Sequence, residues 1–228
     1  MSPKDIVQAW NESHERIPLN KEESRYAIEK EGVFRPGSHI CDLGGGTGAD
    51  AMYFIQQGHS VTLVDISDYA LKVARSKLPK STDPNKLDTK QADFVAGTIP
   101  LPDKQFDIVY SRLALHYFDT KTTLSLFKGI ARILKDGGVA YVTLKSPKDT
   151  EDMKVVIGEA SEKEPGVFVC SDGQIKSRFT PEQLQEMLTT AGITNFKVHE
   201  YIENLGGTTD VTKSGLEQMI FNEVIINK

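Results

Sequence analysis

Cysteine, tryptophan and long apolar runs are scarce in this chain, and each scarcity removes a class of protein. Two cysteines, Cys41 and Cys170, stand far apart in 228 residues. That count excludes the disulfide-stapled secreted scaffolds. No C-x-x-C pair and no H-x-x-x-H cluster offers a zinc site, so no metal is expected. No stretch approaches the ~18 consecutive apolar residues of a membrane helix. The first residues, MSPKDIVQAWNESHERIP, lack the apolar core of a signal peptide. A cytoplasmic protein with no membrane partner is therefore expected. Positive charge is not in excess: Lys and Arg number 27 against 32 Asp and Glu, a net charge of −5. A large basic surface for nucleic acid is not expected. The length suits one α/β domain with appendages, as a monomer or homodimer.

What the chain does contain is alternation. The first ~35 residues are polar and helical in tendency. Asn20 with Glu23 reads as a helix start, and Gly32 as its stop. HICDL is a short apolar run ending in an acid, followed at once by GGGTG and then by the helical ADAMYFIQQ. SVTLVDI is a β-branched run that also ends in an acid, and SDYALKVARSKL is an amphipathic helix. LDTKQAD, FDIVYS and VAYVTLK are further strands, with a helix over 120–134 between the last two. Lys135 to Gly138 read as that helix's polar exit. This order predicts a doubly wound, Rossmann-like α/β sheet, mostly parallel, with helices on both faces and ligands at the carboxyl ends of the strands. NFKVHEYI and LEQMIFNEVIINK, separated by a Gly-Gly-Thr-Thr loop, read as an antiparallel C-terminal pair that completes seven strands. Residues 146–179 break the rhythm and read as an insertion over the mouth of the site, with a helix near Met153–Glu159. Thr180-Pro181 is a good start for one more helix.

Chemistry concentrates in Asp42-Leu43-Gly44-Gly45-Gly46-Thr47-Gly48, between a strand and a helix. Gly44, Gly46 and Gly48 let the backbone approach a ligand closely, and the following helix offers free N–H groups. Dinucleotide enzymes use such a loop with an acid ~20 residues further on, and Gly44, Gly46, Ala49 and Asp65 satisfy that pattern too. Three features separate the readings. Asp42 stands just before the glycines, where it would repel a pyrophosphate and receive an ammonium. Asp65 ends the second strand, while Asp93 falls near the end of the third and is followed by the apolar Phe94. The chain then closes with the antiparallel pair.

With these segments in view, together with SRLALHYFD and ARILKDGGVAYVTLK, the chain resembles the class I S-adenosylmethionine-dependent methyltransferases, of the small-molecule, type 11/12-like kind. The likeness is strong over roughly residues 35–145. It implies a domain at 35–228 that uses S-adenosylmethionine and releases S-adenosylhomocysteine. It also implies that Asp42, Gly44, Gly46 and Gly48 meet the methionine part, and that Asp65 takes the ribose hydroxyls. Ile66 would lie against the adenine, Asp93 and Phe94 would hold its amine and edge, and Ser111 and Leu113 would close around the sulfonium side. Gly45 replaces the Cys or Ser of many relatives and reads as added flexibility.

The acceptor is expected to be a small molecule. His116, after the fourth strand, is a candidate catalytic base, with a structural histidine as the plain alternative. Trp10, His14, Tyr117 and Arg178 are candidate substrate-binding residues. Residues 1–34 are expected to form a helical lid, and 146–179 a cap over the acceptor. Two other functions fit part of the pattern: an NAD(P)-dependent oxidoreductase, and a non-catalytic cofactor-binding module acting through a partner.

Overall fold

Near-continuous apolar runs give each central strand two buried faces, and helices cover both. The computed structural model describes residues 3–204 and 218–228. Strands β1 (His39–Leu43), β2 (Ser60–Asp65), β3 (Leu87–Gln91), β4 (Phe106–Arg112) and β5 (Leu134–Lys145) run parallel. Strands β9 (Phe196–Asn204) and β10 (Gln218–Asn227) pair antiparallel with each other. β10 also lies antiparallel against β5, so the sheet order is β3-β2-β1-β4-β5-β10-β9. This is the expected seven-stranded wound sheet. The predicted Gly-Gly-Thr-Thr loop lies outside the described residues.

On one face, Ile40, Leu63, Ile108 and Tyr110 pack against α2 (Arg25–Glu31), α3 (Ala49–Gln56) and α4 (Asp68–Lys77). On the other, Cys41, Leu43, Val109 and Val142 meet α5 (Thr120–Ile133) and α7 (Pro181–Thr190). Cys41 is fully buried and acts as a small apolar residue. α7 starts at Thr180 with a reciprocal capping box to Gln183, as the sequence signals.

Three boundaries differ from expectation. α2 starts at Ser24, not Asn20, because the backbone N–H and hydroxyl of Ser24 both donate to Asp50 at the head of α3. Asn20 has no such anchor to draw a helix start to it. β5 begins at Leu134, with a register shift opposite β4, so Lys135–Gly138 form a bulge rather than an exit. Residues 146–179 hold α6 (Thr150–Glu159) and a separate antiparallel sheet of β6 (Ala160–Glu164), β7 (Val167–Cys170) and β8 (Ile175–Ser177). These strands are too short to show a period, and β6 is almost wholly polar. At the other end, α1 (Pro3–Glu15) lies against α4. Among the described residues no helix is long and apolar enough to cross a membrane.

Candidate cofactor site

The carboxyl ends of β1, β2 and β4 and the segment after β3 open onto a cavity of about 370 Å³. That volume lies in the usual range for a bound small molecule. Gly44, Asp65, Ile66, Asp93, Phe94 and Leu113 line it, and α1 contributes Trp10 and His14 from above. The turn between β7 and β8, Asp172–Ile175, borders it as well, beside Tyr117.

Asp65 is almost fully buried, and its carboxylate is the anchor of the site. One oxygen accepts the Gly46 N–H and the other the Ser67 N–H, each at 2.9 Å. The glycine loop and the start of α4 are thus tied to a single side chain. Each carboxylate oxygen retains lone-pair capacity for a further donor. Asp93 is exposed and accepts the Val95 N–H at 2.9 Å, while Phe94 beside it is buried.

Asp42 lies beneath the loop, outside the cavity lining. Its Oδ2 is buried and has no hydrogen-bond partner. Burial, then the charges of Asp50 and Asp65, push its carboxyl well above the usual carboxylate range. An orphan acceptor in that setting fits a cationic neighbour and opposes an anionic one. The residues therefore fit the ammonium-bearing methionine end of S-adenosylmethionine better than a pyrophosphate.

Gly45 does more than add flexibility. A Cβ there would stand 2.2 Å from Leu63 Cδ1 and 2.3 Å from Asp42 Oδ2, both on buried side chains. Gly45→Ala is expected to lower stability by about 1–3 kcal/mol, read as a fall in thermal midpoint, because buried neighbours must move. An unchanged midpoint would show that Leu63 and Asp42 yield freely.

α1 presents Ile6, Trp10 and His14 on one face, at the four-residue spacing of a helix stripe. Trp10 packs edge-on against Tyr117, with ring centroids 4.8 Å apart. His14 donates from Nδ1 to the Trp10 carbonyl at 2.8 Å. Its Nε2 then lies over the loop, 3.0 Å from where a Gly46 Cβ would be. Asn11, which the sequence reading missed, fastens the helix: it donates to Asp68 at 2.9 Å and accepts from the Ser67 hydroxyl at 2.7 Å.

Apart from the loop glycines, Asp42, Ser111, His116 and Arg178 fall outside the cavity lining. Ser111 is buried and donates to the Leu43 carbonyl at 2.9 Å, clamping β4 to β1. Leu113 reaches the cavity in a left-handed conformation, φ 55°, held by Thr143. His116 does not line the cavity: it is buried, with Nδ1 unpartnered. Burial, then Arg178 and Lys145, lower its basicity far below that of an ordinary histidine. Arg178 is buried against Asp152 and lines a different cavity. Gly46 and Gly48 shape the loop with positive φ without lining the cavity.

A family model described as a methyltransferase domain matches residues 41–142. The ubiquinone/menaquinone biosynthesis C-methyltransferase UbiE of Shewanella baltica is 31% identical over 182 residues, covering 74% of this chain and 70% of that one. A Methanosarcina mazei S-adenosylmethionine-dependent methyltransferase superposes with a TM-score of 0.67 at 20% identity, over 91% of this chain and 99% of that one. The 1,6-didemethyltoxoflavin-N1-methyltransferase of Burkholderia thailandensis, solved with bound 1,6-didemethyltoxoflavin and S-adenosylhomocysteine, gives a TM-score of 0.65 at 17% identity, over 99% of this chain and 86% of that one.

Proposed function

Because the chain belongs to the class I S-adenosylmethionine-dependent methyltransferase family, we propose that it methylates a small-molecule acceptor held between α1 and the β7–β8 turn. The observation that carries this reading is the composition of the cavity. Acids stand at the end of β2 and after β3, the glycine loop is beside them, and Trp10 and Tyr117 meet across the opening. S-adenosylmethionine supplies a methyl group already activated by its sulfonium. The protein's own task is to orient an acceptor and exclude water.

In this reading Asp42 acts on the cofactor's ammonium from beneath the loop, and Asp65 takes its ribose. Asp93 and Phe94 take the adenine edge, Ile66 its face, and Gly44 and Leu113 border the methionine and sulfonium side. Ser111 holds the β1–β4 junction in place. The acceptor atom differs among the relatives, being carbon in the Shewanella protein and nitrogen in the Burkholderia one by their names. Enclosure by two separate elements supports a small acceptor over a macromolecular surface. Residues 1–34 serve as the lid and 146–179 as the cap.

Titration with S-adenosylhomocysteine, followed by transfer of a labelled methyl group to a panel of small phenols, quinols and amines, tests the proposal. A folded protein that binds no cofactor at millimolar concentration would sink it. Binding without transfer to any acceptor would favour the binding-module reading instead.

Two predictions arise here. Asn11→Ala should loosen α1, speed proteolytic cutting before residue 16 and weaken S-adenosylhomocysteine binding by about ten-fold, since two part-buried hydrogen bonds together are worth about 1–2 kcal/mol. Equal cutting rates with and without the substitution would remove the latch. For His116, burial and then the nearby Arg178 and Lys145 disfavour the protonated ring. His116→Asn should therefore leave the pH dependence of kcat unchanged between pH 6 and 8. Loss of an ionisation from that profile would restore His116 as the base.

A further inference from the structure

A second cavity, of about 710 Å³, lies between α6, the small β6–β8 sheet and the start of α7. It shares no lining residue with the cofactor cavity. Its walls are mainly apolar, with Met153 and Ile157 from α6, Phe168 from β7 and Pro147 among them. Ile157 stands at the rim and is 64% exposed, an unusual position for a large aliphatic side chain.

The polar groups on these walls are nearly all committed. Glu162 accepts the Gly166 N–H at 2.9 Å. Gln183 accepts from Thr180 N–H and donates to the Pro165 carbonyl. The Thr180 hydroxyl accepts from Gln183 N–H and bonds the Glu182 carboxylate. Arg178 is the exception. It is 5% exposed, and its Nε donates to Asp152 and its Nη1 to the Ser177 carbonyl. A guanidinium carries five N–H groups, so three remain unspent.

Charge is unbalanced in the ion-pair trio behind Arg178, while on the cavity wall itself Glu162 stands as the one carboxylate. The Asp152 carboxylate serves two cations at once, Arg178 on one oxygen and Lys145 at 2.7 Å on the other. One positive charge is left over in this half-buried trio. We propose that the second cavity binds an amphipathic anion, its apolar body against Phe168, Met153 and Ile157 and its acid group on the free N–H edge of Arg178. A carboxylate, sulfonate or phosphate would each match that edge, because a planar guanidinium takes two oxygens side by side. The site stands independently of the methyl-transfer reading.

The test uses 8-anilinonaphthalene-1-sulfonate and its uncharged parent N-phenyl-1-naphthylamine as fluorescent probes of the full chain. The sulfonate should bind one per chain, about ten-fold tighter than the parent, and saturating S-adenosylhomocysteine should not displace it. Ile157→Glu changes an exposed side chain, so the fold is retained, and should weaken the sulfonate by about ten-fold. Arg178→Met should remove the preference between the two probes. If Arg178→Met fails to fold, the Ile157→Glu effect and the preference of the unmodified protein decide the matter. Displacement by S-adenosylhomocysteine, equal affinity for the two probes, or indifference to Ile157→Glu would each overturn the proposal.

Discussion

Asp65→Ala is expected to cut affinity for S-adenosylhomocysteine by about a hundred-fold and to lower the melting temperature in the same protein. The first effect follows from two charge-assisted hydrogen bonds to ribose hydroxyls, together about 3 kcal/mol. The second follows from what the carboxylate already holds. Removing it leaves the N–H groups of Gly46 and Ser67 without their acceptor. A buried donor left unpaired costs about 1–3 kcal/mol, and a domain of this size loses about 2–4 °C for each kcal/mol. The loop and the start of α4 then separate, so the site is lost twice over, in its ligand bond and in its shape. Asp65→Asn keeps one carbonyl oxygen and should fall between the two proteins on both measures. Calorimetric titration and a thermal melt separate the outcomes. A melt that falls with affinity unchanged would keep the loop-anchoring role and remove the ribose assignment.

The strands and their acids were readable because both follow from local rules. Burial on two faces demands apolar runs, and a run that ends in Asp42 or Asp65 announces where the sheet stops and a ligand begins. The glycine loop was equally plain, although Gly45 was misread. Its need for a missing Cβ arises from Leu63, on a neighbouring strand, and from the rotamer of Asp42 beneath the loop. The lid was visible only as a polar helix. The stripe Ile6, Trp10, His14 was present in the spacing, but nothing local says that Asn11 reaches Ser67 and Asp68, more than fifty residues away. His116 and Arg178 show the same limit from the other side. Both follow strands near the mouth, yet β8 packs on the segment Leu115–Tyr117 and directs them away from the cofactor cavity. The small sheet of 146–179 could not be anticipated, because strands of three to five residues are too short to carry a period.

Asp42 should behave in the opposite sense to Asp65 in stability and in the same sense in binding. Its carboxyl is buried, Oδ2 is unpartnered, and burial followed by Asp50 and Asp65 raises its pKa in the folded protein. The sign of the consequence is fixed by linkage. Below the unfolded value, near 3.9, the group is protonated in both states and costs nothing. As pH rises towards the folded value, the unfolded chain releases its proton first and folding becomes progressively less favourable. Above the folded value the full cost of the buried charge is present. Asp42→Asn abolishes that titration while keeping the side chain's size. The variant should therefore gain about 1–3 kcal/mol at neutral pH, seen as a melting temperature several degrees higher. The gain should shrink steadily as pH is lowered towards 4. Cofactor affinity should fall by about ten-fold or more, because a neutral amide no longer offsets the ammonium. Melting curves of the two proteins across pH 4–8, with S-adenosylhomocysteine titrations at pH 7.5, give both readings. A variant less stable than its parent at every pH would mean that the carboxylate is satisfied beneath the loop. It would then be part of the loop's scaffold, and the cationic end of the cofactor would have to be met by other groups.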